Sequence, residues 1–416
     1  MELSFGFGTG SQTVYVPEKN VISVLTPNTV AHGLTGEAEV SRALDQPIGS
    51  PDIKDIVKPG EKIAIITSDI TRPMPTAKVM PALLNRLYAA GVSPSDITLV
   101  FALGSHRKHT EAEKEKLAGP MAYSQIKCID GDADDCVHLG TTFLGTAVDI
   151  VKAVATADRR ICLGNIEYHY FAGYSGGAKA IFPGVAARAA IQQNHSRMVD
   201  ESACAGKLSG NPVRKDIEEA AALCGIDFLV NVVLDEHKEI VKAVAGHPVK
   251  AHREGCLFLD SMYLKAIPDR ADIVLVSQGG APKDINLYQT QKALDNAKHA
   301  VKKGGVVILI GSCREGLGER VFEEWMTKSP SPGSMIARIE KDFQLGGHKA
   351  AAIAMVLQDA DIFLVSDLDA EFVKSIFLTP FASAQQALDA AFAKLGGDAT
   401  VIAMPYGGST LPRVSP

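Results

Sequence analysis

Residues 62–91 read KIAIITSDITRPMPTAKVMPALLNRLYAAG, and this stretch decides the fold. The unbroken apolar run at 62–67 has the pattern of a strand buried on both faces. A polar loop, SDITRPMPT, follows. The spacing then predicts a helix over 77–90, stopped by Gly91. A buried strand, a polar loop and a helix make one half of a parallel βαβ unit.

The same alternation continues outward. Strands are predicted at 97–103, 160–163 and 227–234, and helices at 111–117, 214–224 and 248–264, with Pro248 in a first turn. The composition breaks near 267–269, which divides the chain into domains 1–267 and 268–416. In the second domain strands are predicted at 273–276, 306–310, 362–365 and 401–404. Helices are predicted at 293–301, 319–327, 333–341, 349–358 and 383–393, the last capped by Ser383. The expectation is two doubly wound, Rossmann-like α/β domains, with the final residues free to return to the first domain. Residues 1–60 form a lead-in with strand-like pieces at 13–16 and 21–24. Gly6, Gly8 and Gly10 are spaced GxGxG rather than GxGxxG and read as a turn.

Composition narrows the class. A chain of 416 residues is long for one domain. Its 46% apolar and 22% charged residues are ordinary for a soluble protein. A net charge of −6 gives no footprint for nucleic acid. No apolar run spans a bilayer, and the N-terminus lacks a basic and apolar signal segment. The seven cysteines form no CxxC pair, which points to reduced thiols, each a small core residue, and to the cytoplasm.

In open α/β sheets, ligands bind beyond the carboxyl ends of strands. Asp69 and Arg72 follow the first strand, and His106 and His109 the second. His169 and Lys179 follow the third. Gln278, Lys283, Tyr288, Gln289 and Lys292 follow the first strand of the second domain. This predicts one cleft shared by two domains. The richest stretch is 165–195, NIEYHYFAGYSGGAKAIFPGVAARAAIQQNH. Gly173, Gly176 and Gly177 suit close backbone approach and bare N–H groups at an anion. Pro183 suits the first turn of a helix over 184–194, which would put His195 at its C-terminal end. Plainer readings exist. Asp69 could cap a turn before Pro73, Arg72 could be a surface ion-pair residue, and His106 and His109 could be solvent-exposed loop residues, the reading kept for His109. Gln289 and Lys292 share a helical face that could be a solvated helix start. No standard metal motif is present, and His195 alone cannot hold a catalytic metal.

SDITRP at 68–73, ALGSHR at 102–107, the run from His169 through SGGAK to His195, and YQTQK at 288–292 together resemble the nickel-pincer-dependent lactate racemase family. The resemblance covers nearly the whole chain. It implies a pyridinium-3-thioamide-5-thiocarboxylic acid mononucleotide carrying nickel, covalently attached at Lys179, with His195 as the protein's nickel ligand. It places Ser175, Gly176 and Gly177 near the cofactor, with Asp69 and Thr71 as further contacts. It also implies hydride removal from a 2-hydroxy acid to a 2-keto acid, with return to either face. His106 and His169 would be the two bases, Arg72 and Lys292 would bind the carboxylate, and Tyr288 and Gln289 would line the pocket. Cofactor-synthesis enzymes would be needed for maturation.

One departure bears on substrate. Lactate-specific members carry an aromatic residue in the stretch matching 346–352. Here it is GGHKAAA, and the single Trp325 lies elsewhere. His348 and Lys349 could reach a second carboxylate or hydroxyl, or could be solvated at a helix start. The expected substrate is therefore lactate or, preferably, malate, 2-hydroxyglutarate, an aromatic 2-hydroxy acid or a sugar acid. The competing readings are an NAD-type α/β dehydrogenase and a non-catalytic nickel or nucleotide binder.

Overall fold

The computed structural model describes residues 1–104 and 106–415, so Ser105 of the 102–107 motif lies outside it. The chain divides into two units. One is Val30–Asp260, and the other joins Met1–Thr29 to the chain from Ser261 onward.

The Val30–Asp260 unit holds a six-stranded sheet. Its strands in chain order are Ile63–Ser68, Ile97–Ala102, Lys127–Asp130, Arg159–Asn165, Phe228–Leu234 and Ile240–Gly246. Numbered that way, they run 6-5-4-1-2-3 across the sheet, and only the sixth is antiparallel. This is the Rossmann order, and it reverses between Ile63–Ser68 and Arg159–Asn165. Those two strands pair only as far as Ile66 and Cys162, so the loops after them flank the crevice at the switch point. The apolar run is buried on both faces, as its pattern requires. Ile63 and Ile65 meet Leu83, Leu84 and Leu87 of the helix Thr76–Ala89, while Ala64 and Ile66 are buried on the other side. The helix Glu111–Ala118 starts from a capping box between Thr110 and Glu113.

The other unit has a six-stranded, all-parallel sheet. Its order is Thr379–Phe381, Ala360–Val365, Val301–Ile310, Ala271–Ser277, Val401–Met404 and Val21–Val24. The hairpin Glu2–Phe7/Gly10–Tyr15 places Leu3, Phe5, Val14 and Val16 against Ile273, Leu275 and the helix Ala384–Leu395. The GxGxG stretch is thus the hairpin turn. Among the described residues no helix is long and apolar enough to cross a membrane. Cys162, Cys224, Cys256 and Cys313 are buried thiols, while Cys128, Cys136 and Cys204 are half-buried.

The structure redraws several boundaries. The first 29 residues join the second unit, because Val21–Val24 pairs with Val401–Met404. Leu411–Val414 stays there too, paired with Leu264–Ile267. The helix expected at 293–301 is Leu287–Ala297, capped by Asn286, whose side chain accepts the Gln289 N–H. YQTQK therefore lies inside the helix. The helix expected at 184–194 begins only at Arg188, and Pro183 is not in its first turn. Residues 185–187 are extended against the strand Ala147–Val151 instead: the Val185 carbonyl accepts from the Val151 N–H, and the Ala187 N–H donates to Asp149. His195 remains the last residue of the helix. Short or half-exposed strands, Lys127–Asp130 and the hairpin Cys136–Thr141/Ala147–Val151, had no clear periodic signal.

Candidate active site

Two loops meet at the switch point of the Val30–Asp260 unit. The loop after Ile63–Ser68 carries Asp69, Thr71 and Arg72. Asp69 is buried, and its Oδ2 lies 2.8 Å from Nδ1 of His106. The Thr71 hydroxyl donates to both Asp69 oxygens at 3.0 Å, and Arg72 Nη1 donates to Thr71 Oγ1 at 3.1 Å. Burial works to raise the Asp69 carboxyl. The hydrogen bond and charge of His106, the charge of Arg72 and the Thr71 hydroxyl outweigh it, and the carboxyl sits below its usual range. An ionised Asp69 accepts a hydrogen bond from Nδ1–H of His106, which leaves Nε2 as the nitrogen with the lone pair. The carboxylate is thereby committed to Thr71 and His106. Its placement suits orienting His106, where the sequence had suggested a cofactor contact.

The second loop follows Arg159–Asn165. Residues Tyr168–His169 pair with Gly173–Tyr174 in a tight antiparallel turn that carries Phe171 at its tip. The Phe171 ring is the hub of the site. It meets His169 edge-on at 4.5 Å, His195 at 4.9 Å and Tyr170 at 4.7 Å between centroids, and Lys179 Nζ lies 5.9 Å away. Side chains of the hairpin and of two short helices, Gly177–Ala180 and Arg188–His195, are thus gathered around one buried aromatic. Sequence reasoning passed over Phe171, whose apolar type gives no chemical signal. It also passed over Arg214 and Asn211, which brace the turn from the helix Pro212–Cys224. Asn211 donates to the Phe171 carbonyl at 2.8 Å; Arg214 Nε donates to Ala172 at 3.0 Å, and its Nη2 donates to the Tyr174 carbonyl.

The glycines serve packing rather than a bare anion nest. At Gly177, with φ +60°, a Cβ would meet the His252 ring at 2.9 Å, and at Gly176, with φ +71°, it would meet Asn231 Oδ1 at 2.6 Å. The Gly177 N–H already donates to Asn231. The Ser175 hydroxyl is likewise engaged, donating to the Asn165 carbonyl and accepting the Glu167 N–H, each at 2.8 Å. Asn231 and His252 thus hold the backbone from which Lys179 projects.

Electrostatics set the states of the central groups. Burial, then the guanidinium charges of Arg214 and Arg72, push the Lys179 ammonium well below its usual range, toward a neutral amine. Burial, then the charges of Lys179, His195, Arg72 and Arg214, likewise lower His169. His169 Nδ1 engages the Ala172 N–H at 3.3 Å. At His195, Nδ1 lies 2.9 Å from Asn194 Oδ1. The Asn194 amide donates to buried Asp216 at 2.8 Å. Asn194 therefore presents its oxygen to His195, which fixes the proton on Nδ1 and makes Nε2 the ligating nitrogen. Among the described residues, no group of three or more His, Cys, Asp or Glu is arranged to hold a metal. One oriented histidine beside a lysine whose charged form burial disfavours fits a metal that arrives within a lysine-linked group.

The second unit gathers its own cluster. Lys349 Nζ donates to the Tyr288 carbonyl at 2.6 Å and lies 3.9 Å from the Tyr288 ring centroid. Gln278 donates to the Gln289 carbonyl at 3.0 Å. Burial raises the Asp295 carboxyl against the pull of Lys298, Lys349 and Lys292. His348 Nδ1 accepts the Gly346 N–H at 3.0 Å. His348 and Lys349 are 7% and 6% exposed, so neither is a solvated side chain at a helix start.

Comparison with known proteins gives the family. Residues 7–206 match the family described as lactate racemase N-terminal domain, and residues 266–411 match the lactate racemase C-terminal domain. The lactate racemase of Thermoanaerobacterium thermosaccharolyticum is 32% identical over 420 residues, covering 98% of each chain. That of Lactiplantibacillus plantarum is 31% identical over 409 residues, covering 95% of this chain and 96% of its own. The solved lactate racemase apoprotein from T. thermosaccharolyticum superimposes with a TM-score of 0.88, covering 99% of this chain and 100% of that one at 31% identity. A Thermotoga maritima protein shares the fold with a TM-score of 0.65 at 17% identity, covering 93% of this chain and 100% of its own.

Proposed function

Because this chain belongs to the lactate racemase family, we propose that it inverts the Cα centre of a 2-hydroxy acid with the help of a nickel-pincer nucleotide linked to Lys179. The chain is an isomerase of the racemase type. The observation that carries the finer reading is the gathering of His169, His195 and Lys179 around Phe171, in the same unit as the paired Asp69 and His106.

When bound, the nickel-pincer group supplies a hydride acceptor for Cα. Lys179 and His195 are the residues that would hold it. The remaining work belongs to the chain. His106 Nε2 takes the hydroxyl proton of one enantiomer, and the Asp69 carboxylate stabilises the imidazolium that results. His169, kept neutral by burial and positive neighbours, is the base for the other. Two bases are required because the hydroxyl of each enantiomer points a different way. Arg72 binds the substrate carboxylate with its planar fork. Lys292, Tyr288 and Gln289 are substrate contacts by the family resemblance. Lys349 supports Tyr288, and with His348 it favours a substrate larger than lactate.

A freely exchanging dinucleotide fits less well. The loop after Ile63–Ser68 contains no glycine, and Asp69 and Arg72 occupy the place where a Rossmann fingerprint would present bare N–H groups. The cytoplasm, where thiols stay reduced, is the proposed location. The test is the double variant His106→Ala/His169→Ala, made with cofactor-synthesis enzymes and nickel. It should keep the covalent adduct by intact mass and lose turnover. Surviving turnover would remove both histidines from the mechanism.

A further inference from the structure

The Asp69–Arg72 loop meets the loop after Ile97–Ala102, which carries His106 and His109. His106 Nδ1 contacts Asp69 at 2.8 Å and Thr71 at 3.3 Å. A further link is formed by a histidine that the reaction does not use. His109 Nε2 accepts the backbone N–H of Ile70 at 3.0 Å. Ile70 lies between Asp69 and Thr71, in the loop that aims His106 and carries Arg72. His109 is itself fixed from behind. Its Nδ1 lies 2.6 Å from Asp130 Oδ1, and its backbone N–H donates to Asp130 Oδ2 at 2.9 Å. Asp130 ends the strand Lys127–Asp130, so the support comes from the next strand of the sheet. The imidazole side chain is 1% exposed and meets Phe101 edge-on at 5.3 Å.

This arrangement prescribes a tautomer. A carboxylate at Nδ1 accepts a hydrogen bond from Nδ1–H, so Nε2 carries the lone pair that the Ile70 amide needs. Without that acceptor, the amide at the centre of the loop would lose its partner, and the loop would keep only the contacts of Asp69 and Thr71 with His106.

We infer that His109, aimed by Asp130, is a positioning residue that fixes the Asp69–Arg72 loop against the loop carrying His106. The inference rests on the racemase reading for its effect on turnover, though not for its effect on the loop.

The experiment compares His109→Leu with His109→Gln. A Gln carbonyl can accept from Ile70 while its amide donates to Asp130; Leu can do neither. Amide hydrogen exchange at Ile70 is followed in the cofactor-free protein. It should be at least roughly tenfold faster in the Leu variant and close to wild type in the Gln variant. In cofactor-loaded enzyme, the Leu variant should lose roughly 10- to 100-fold in kcat with a smaller change in KM, and Gln should restore most of it. Unchanged exchange in the Leu variant, or a Gln variant as impaired as the Leu one, would overturn the inference. If the Leu variant does not fold, Asp130→Asn keeps the volume and removes the carboxylate that sets the tautomer. It should speed Ile70 exchange and lower kcat, and unchanged values there would equally overturn the inference. The exchange measurement involves neither cofactor nor substrate, so a failure of the racemase reading leaves it standing.

Discussion

Oδ2 of Asp69 sits 2.8 Å from Nδ1 of His106, and this contact sets which nitrogen of His106 can act as a base. The carboxylate holds the proton at Nδ1 and leaves Nε2 to meet substrate. Asp69→Asn presents an amide in its place, which removes the charge that stabilises a protonated His106. The expected result is a loss of roughly 100-fold in kcat with cofactor loading unchanged, checked by steady-state kinetics beside intact mass.

Lys179 should be the amine that acylating reagents reach first. Ordinary surface lysines are protonated at neutral pH, whereas burial and the guanidinium groups of Arg214 and Arg72 hold Lys179 toward the neutral form. Limited labelling of cofactor-free protein near pH 7, read by peptide mass spectrometry, should mark Lys179 out of proportion to its half-buried position. The shift also carries a stability sign. Unfolding returns the amine to its usual range and takes up a proton, so the lysine opposes folding at neutral pH. Lys179→Met should therefore raise the melting temperature of cofactor-free protein.

Arg214 is fully buried, and it donates to the carbonyls of Ala172 and Tyr174. Arg214→Met leaves both oxygens without these donors. A cost of about 2–4 kcal/mol follows from orphaning two buried acceptors. Chemical denaturation measures it. The same variant removes the largest charge acting on Lys179, so selective labelling of that lysine should weaken.

Acid should loosen the fold before carboxylates titrate. Burial lowers His169 and His252 well below their ordinary range, and it holds His299 at about 3. Each binds a proton more readily when unfolded. Their contribution is complete above pH ~6.5, the unfolded value, and is lost as pH falls toward the folded values. The melting temperature should fall between pH 7.5 and 5.5, and less steeply in His252→Gln. A flat profile would contradict this.

The α/β class was legible because 62–67, 160–163 and 273–276 are apolar runs too short for helices and too continuous for half-buried strands. The candidate chemistry was legible because His, Lys, Asp and Arg fell after strand ends. What the sequence hid were supports with no chemical signature. Phe171 gathers three candidate site side chains by shape alone, and Arg214 acts through backbone carbonyls 40 and 42 residues away in sequence. Small residues signal close approach, but not by what; at Gly176 and Gly177, Asn231 and His252 are among the groups that approach. The discontinuous unit was hidden too, since parallel pairing of Val21–Val24 with Val401–Met404 leaves no local trace.

The most direct measurement follows Cα stereochemistry in single enantiomers of lactate, malate, 2-hydroxyglutarate, an aromatic 2-hydroxy acid and a sugar acid. The protein is made alongside cofactor-synthesis enzymes and nickel, and loading is verified by intact mass. Inversion of one compound, abolished by Lys179→Ala, is the predicted result. Inversion that persists in Lys179→Ala, or fully loaded wild-type protein that inverts none of them, would contradict the assignment of a lysine-tethered 2-hydroxy acid racemase.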